Sequence, residues 1–186
     1  MARLTQIDPA TATDRAKTLL GAVQHKLGLV PNMTRAMASS PAVLDGYLQF
    51  SGTLSKGTLS AKDRERIALA VAEANGCEYC LAAHSAIGKM VGLTADQVRD
   101  SRLGTSADAK TDALIQFARK VVDTRGRVSH DELHDVRRAG FDDAAIAEVV
   151  ANVALNVFTN YFNNVVETDI DFPKVSALKP EFAATN

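Results

Sequence analysis

Apolar side chains recur three and four positions apart along most of this 186-residue chain, and nowhere do they alternate. A period near 3.6 residues lays them on one stripe of an α-helix, whereas a half-buried strand needs a period of two. Ala16, Leu19, Leu20, Val23 and Leu27 form one such stripe within 12–28, ended by Gly28. Pro41 opens a second helix over 41–55. Ser60 reads as the N-cap of a third, to about Asn75. A short helix over 77–91 ends near Gly92, and Thr94 caps a weaker one. Leu114, Phe117, Ala118, Val121 and Val122 predict a helix over 107–123, and Ser129 caps a short one that ends at Gly140. The longest runs from Asp142 or Asp143 to about Glu167. Its apolar residues lie almost all round, which predicts burial on most faces. With no hairpin dipeptide, repeat or long Gly/Ser/Pro linker, the chain reads as one all-α domain over 1–186, with a polar C-terminal tail from about residue 168.

Charge narrows the function classes. Lysines and arginines number 21 against 22 aspartates and glutamates, so no basic footprint points to nucleic acid or an anionic membrane. The N-terminal residues lack the apolar run of a signal peptide, and no uninterrupted apolar stretch reads as long enough to span a bilayer. A cytoplasmic location is expected. There, a cysteine pair is more often transient and catalytic than a structural staple.

The chain has two cysteines, and they stand together as Cys77-Glu78-Tyr79-Cys80, with His84 four residues further on. Gly76 is expected to end one helix and Cys77 to begin the next. Both thiols then fall in a first helical turn, where the dipole and free N–H groups favour a thiolate. Residues three apart on a helix lie about 5 Å apart between Cα atoms, within the range a disulfide accepts. Cys80 and His84 at i and i+4 can meet as nucleophile and base. If the helices on either side of Gly76 pair antiparallel, Glu65 lies eleven residues before the pivot and His84 eight after it. Their axial offset is then about 4–5 Å, which a glutamate can span; Glu73 falls level with Tyr79 instead. Cys77, at the helix start, is expected to be the more exposed thiol, and Cys80, one turn from His84, the one that attacks.

Other readings of these residues stand beside this one. The cysteines suit burial as small apolar side chains. Cys77, Cys80 and His84 could supply three zinc ligands, but no second Cys or His pair completes a structural site, and neither metal nor cofactor is expected. Glu65 suits a solvated charge beside Lys62 and Arg66, and Tyr79 a simple amphipathic rim residue. His130 and His134 share a helix face, but Asp131 breaks the H-E-x-x-H pattern and the acid-rich surroundings suit solvent. His25 reads as a surface residue. Asn152, Asn156, Asn160, Asn163 and Asn164 recur at helical spacing in an apolar run. They are expected to bond across helices in a core or subunit interface, or to line the pocket beside the thiols.

Glu65, eleven intervening residues, Cys77-x-x-Cys80, three more and His84 together resemble the signature of the alkylhydroperoxidase D (AhpD) family, within the carboxymuconolactone decarboxylase superfamily. Leu27-Gly28-Leu29-Val30-Pro31-Asn32 and the stretch from Leu59 to Glu65 are similar too. Thr168-Asp169-Ile170-Asp171-Phe172-Pro173 resembles a subset labelled peroxidase-related, so the likeness spans about residues 15–175. It implies an all-α fold around an antiparallel helical hairpin, and a homo-oligomer, a trimer or hexamer. It also implies a thiol peroxidase in which Cys77 and Cys80 reduce a hydroperoxide while Glu65 and His84 relay the proton. An external dithiol, a lipoyl protein or thioredoxin-like donor, would reset the pair. Two other activities are open: a lyase of the type that names the superfamily, working by acid–base chemistry, and a non-catalytic redox switch. One position departs from the founding members, which carry histidine where this chain has Tyr79. A phenol with a pKa near 10 donates a hydrogen bond but is a poor base, so Tyr79 is an auxiliary candidate at most.

Overall fold

Helix N-caps set the architecture of the computed structural model, which describes residues 2–176 and 178. The helices run α1 (Asp14–Leu27), α2 (Asn32–Met37), α3 (Pro41–Leu54), α4 (Ala61–Ala74), α5 (Glu78–Met90), α6 (Ala95–Leu103), α7 (Ala109–Asp123), α8 (His130–Arg138) and α9 (Asp143–Val166), with no strand among the described residues. Ser60, Asp108 and Asp142 each accept a backbone N–H three residues on. Thr94 with Gln97, and Ser129 with Glu132, form reciprocal capping boxes. Gly28 closes α1 in the left-handed conformation (φ 74°).

α4 is the central element and packs on α5, α6, α7 and α9. Its Ile67 and Val71 join Leu59, Leu114, Phe117, Val149 and Val153 in the largest apolar core. Leu20, Met37 and Leu44 hold the N-terminal helices together, with Phe162 of α9 against them. Glu148 fixes the loop before α4 by accepting from the N–H groups of Thr58 (2.8 Å) and Leu59 (2.9 Å).

One helix was not foreseen, and the extent of the tail needs correcting. α2 does not stand out in the sequence, because six residues carry little periodicity. It is held from afar, by the Asp171 carboxylate accepting from Asn32 N–H at 2.7 Å. The segment from residue 168 is not a polar tail throughout: Ile170, Phe172 and Val175 pack on the buried cluster that holds Tyr79 and the two cysteines, and Ser176 O accepts from Arg102 Nη2 at 3.1 Å. Residues 177 and 179–186 of the expected tail lie outside the described part. Finally, α9 is long and apolar enough to cross a membrane by length and composition. It nonetheless buries Asn152, Asn156, Asn160 and Asn163 against other helices, while Val150, Phe158, Tyr161 and Val165 are exposed, so it is not covered on most faces within one chain.

Candidate active site

The α4–α5 hairpin turns at Asn75-Gly76. Gly76 takes φ 59°, a left-handed conformation that a residue without Cβ enters without strain. The turn makes Cys77 the N-cap of α5, its sulfur accepting from Cys80 N–H at 3.4 Å. One turn further, His84 Nδ1 lies 2.8 Å from Glu65 Oε2, as the hairpin register requires. Both side chains are mostly buried, 22% and 15% exposed, so the charged contact is little screened by water. Glu73, the rejected partner, is bonded to Arg102 Nε at 2.7 Å.

Cys77 is not the exposed thiol that its position at the helix start predicts: it is 0% exposed and Cys80 2%. The packing is long-range, since Met33, Ile170, Phe172 and Val175 pack against the buried cluster that holds Cys77, Tyr79 and Cys80. Both cysteines are free.

The two sulfurs are electrostatically unequal. Cys80 is lowered to about 6. The Cys77 thiol donates to it, and that gain outweighs burial; His84 and the amides of Asn160 and Asn163 favour its thiolate further. Cys77 moves the other way, because its proton is committed to Cys80 and burial opposes a second charge. Burial pushes His84 down, but the Glu65 carboxylate and the Cys80 charge raise it overall. These influences favour a thiolate on Cys80 and the protonated form of His84, which Glu65 holds.

Tyr79 is buried and turned away from this relay. Its hydroxyl accepts from Met33 N–H at 3.2 Å, and its ring meets Phe172 edge-on at 5.8 Å. Burial, with the Asp171 carboxylate adding to it, pushes its phenol up. It therefore serves as a buttress between α2 and the C-terminal segment, not as a base.

The sequence left several neighbours unassigned. Asn163 Nδ2 donates to Cys80 Sγ at 3.3 Å and to Met33 Sδ at 3.1 Å. Asn160 Oδ1 accepts from Asn75 Nδ2 at 2.9 Å. Tyr47 of α3 is pushed up to about 12 by burial and by the charges of Cys80 and Glu65. The helical recurrence of asparagines was the signal for Asn160 and Asn163. Met33 and Tyr47 gave none. His25, on α1, and His130 and His134, on α8, are exposed, whereas the thiols are buried at the start of α5.

Known proteins give this geometry a context. The family model of the Carboxymuconolactone decarboxylase family matches residues 41–124. No curated protein matches the chain. Among solved structures, a peroxidase-related protein from Ralstonia eutropha JMP134, described as an alkylhydroperoxidase AhpD core, superposes with a TM-score of 0.81 at 27% identity, covering 91% of this chain and 92% of that one. A peroxidase-related protein from Silicibacter sp. TM1040 gives 0.78 at 24% identity, over 90% and 92%. The debrominase Bmp8, as a cysteine-to-alanine variant in complex with 2,3,4-tribromopyrrole, gives 0.78 at 18% identity, over 91% and 91%, a likeness of fold alone. Over residues 41–124 the chain is similar to the carboxymuconolactone decarboxylase family, and over nine-tenths of its length it shares the fold of AhpD-like, peroxidase-related proteins.

Proposed function

We propose that the protein is a thiol-dependent peroxidase, reducing hydroperoxides through a Cys77/Cys80 dithiol–disulfide cycle. The observation that carries the reading is the lowered Cys80 thiol beside the His84–Glu65 pair. Attack on a peroxide needs a thiolate and, at the same moment, a proton for the leaving oxygen. Cys80 is the attacking sulfur and becomes a sulfenic acid. Cys77 then condenses with it, releasing water and leaving a disulfide. An external dithiol, a lipoyl protein or thioredoxin-like donor, returns both thiols by exchange. Because Cys77 is buried, that donor gains access only where the segment around Phe172 yields.

A superfamily-type lyase would use acid–base groups and leave the lowered thiol without a task. A redox switch would oxidise without rapid turnover. The exposed apolar residues of α9 support, in addition, a homo-oligomer, with Val150, Phe158, Tyr161 and Val165 facing a second copy. A cytoplasmic setting would keep the resting pair reduced.

Stopped-flow mixing of the reduced protein with a panel of hydroperoxides, with thiol counting, tests the reading. Rapid loss of both thiols per chain is expected. Slow, unselective oxidation at the rate of free cysteine refutes it.

A further inference from the structure

The asparagines of α9 fall into two classes. Asn152 Nδ2 donates to Glu148 O and Asn156 Nδ2 to Asn152 O, each at 2.8 Å and within the helix. Asn164 reaches Asn75 O at 3.1 Å. These are ordinary ways of satisfying an amide.

Asn160 and Asn163 are held differently. Asn160 is 0% exposed, and its bond from Asn75 fixes which way the amide faces; its Nδ2 is then left to favour the Cys80 thiolate electrostatically, with no well-formed hydrogen bond of its own. Asn163 is 3% exposed and gives its Nδ2 to Cys80 Sγ and Met33 Sδ, leaving Oδ1 without a partner. Buried polar atoms are ordinarily paired, so two open ones, three residues apart on one helix face and next to a reactive sulfur, call for an occupant. One is a donor and the other an acceptor. A hydroperoxide, R–O–O–H, presents the complement of both: oxygens that accept and an O–H that donates. Met33 and Phe172, packed on the cysteine cluster, offer apolar surface to the R group.

Resting on the peroxidase reading, we propose that Asn160 and Asn163 bind the hydroperoxide at Cys80, Asn163 Oδ1 accepting the peroxide O–H and Asn160 Nδ2 donating to the departing oxygen. The Cys80 thiolate attacks the hydroxyl-bearing oxygen. The S–O bond forms as the O–O bond breaks, and the bonding pair leaves on the RO oxygen. His84 gives that oxygen its proton, so the products are a sulfenic acid and an alcohol. Sulfur loses two electrons and the peroxide gains them. Asn160 opposes the charge that builds on the leaving oxygen, and Asn163 aligns the oxygen under attack.

Two electrophiles separate binding from thiol activation. Iodoacetamide needs the Cys80 thiolate but has no O–O bond to align, whereas tert-butyl hydroperoxide needs both. The reduced full chain is compared with Asn160→Ala, Asn160→Asp and Asn163→Ala. Each Asn160 variant is expected to slow alkylation modestly, because the amide favours the Cys80 thiolate, and to lose about a hundredfold more in peroxide rate than in alkylation rate. Asn163→Ala is expected to slow alkylation, through the lost bond to sulfur, and to slow peroxide attack further. Should Asn160→Ala fail to fold, Asn160→Asp gives the reading, since it keeps an acceptor for Asn75. If peroxide and alkylation rates fall by the same factor in every variant, the amides only hold the helix and the sulfur, and the proposal is overturned. If the parent itself reacts with peroxide no faster than free cysteine does, it is the peroxidase reading that fails, and the pair loses its ligand with it.

Discussion

Replacing His84 with alanine separates the two tasks assigned to the imidazole, favouring the thiolate and supplying a proton. Cys80 is lowered to about 6, so its thiolate is expected to predominate at pH 7. An opposite charge nearby strengthens an acid by about tenfold to a thousandfold. The donated bond from Cys77, the largest influence on Cys80, survives in His84→Ala, so the low end applies. A weakening of about ten- to thirtyfold leaves roughly a quarter to a half of the thiol ionised at pH 7. Alkylation by iodoacetamide should then fall only about two- to fourfold at pH 7, about five- to fifteenfold at pH 6, and recover above about pH 9. The peroxide rate should fall about a hundredfold more, because the proton donor is gone, and alkali should not restore it. In the parent, attack needs Cys80 deprotonated and His84 protonated. Its rate should rise as pH passes about 6 and fall as pH passes the imidazole's raised value, above the ordinary 6.5. Ultraviolet absorbance of the thiolate, followed against pH beside both rates, gives the test. A variant whose thiol titrates like the parent, or whose peroxide rate recovers fully in alkali, would refute the reasoning.

Mild peroxide should link Cys77 to Cys80 within one chain, and mass spectrometry of non-reduced peptides should find that link; only intermolecular links or sulfonic acids would remove the resolving role from Cys77. Cys77→Ser should accumulate a trappable sulfenic acid while Cys80→Ser reacts slowly, and the opposite pattern would exchange the two roles. Glu65→Gln should slow the first oxidation without preventing the disulfide, as followed by stopped-flow thiol counting. Arg102→Ala should destabilise the fold by about 3 kcal/mol in urea titration, since it leaves Glu73 without its cation and frees Ser176. Light scattering at micromolar concentration should give an oligomer, reduced toward monomer by Val165→Asp; a monomeric parent would leave the α9 surface without an occupant.

The relay geometry was legible in the sequence because it depends on short-range regularities. His84 lies one turn from Cys80 by helix pitch alone, and the choice of Glu65 over Glu73 follows from counting residues about Gly76. The capped starts at Ser60, Thr94 and Ser129 were readable for the same reason. What local rules could not supply was anything held from a distance. Helix α2 depends on Asp171, 139 positions away from Asn32. A helix start usually is exposed, but Cys77 lies in a buried cluster onto which Ile170, Phe172 and Val175 return from a distance. The asparagines announced themselves as buried amides, but spacing could not tell that Asn152 and Asn156 serve their own helix while Asn163 serves a sulfur.

The family model stops at residue 124. The reactive sulfurs, His84 and Glu65 all lie inside it, whereas Met33, Asn160, Asn163, Asp171 and Phe172 lie outside. The thiols with their His84–Glu65 pair and the residues that enclose them therefore lie on separate stretches of chain. A lineage could exchange the enclosing parts, widening or narrowing what reaches Cys80, without disturbing the hairpin register that brings His84 to Glu65. In such an arrangement selectivity can drift quickly while the reaction core stays fixed, and sequence divergence should concentrate in α2, α9 and the segment after it.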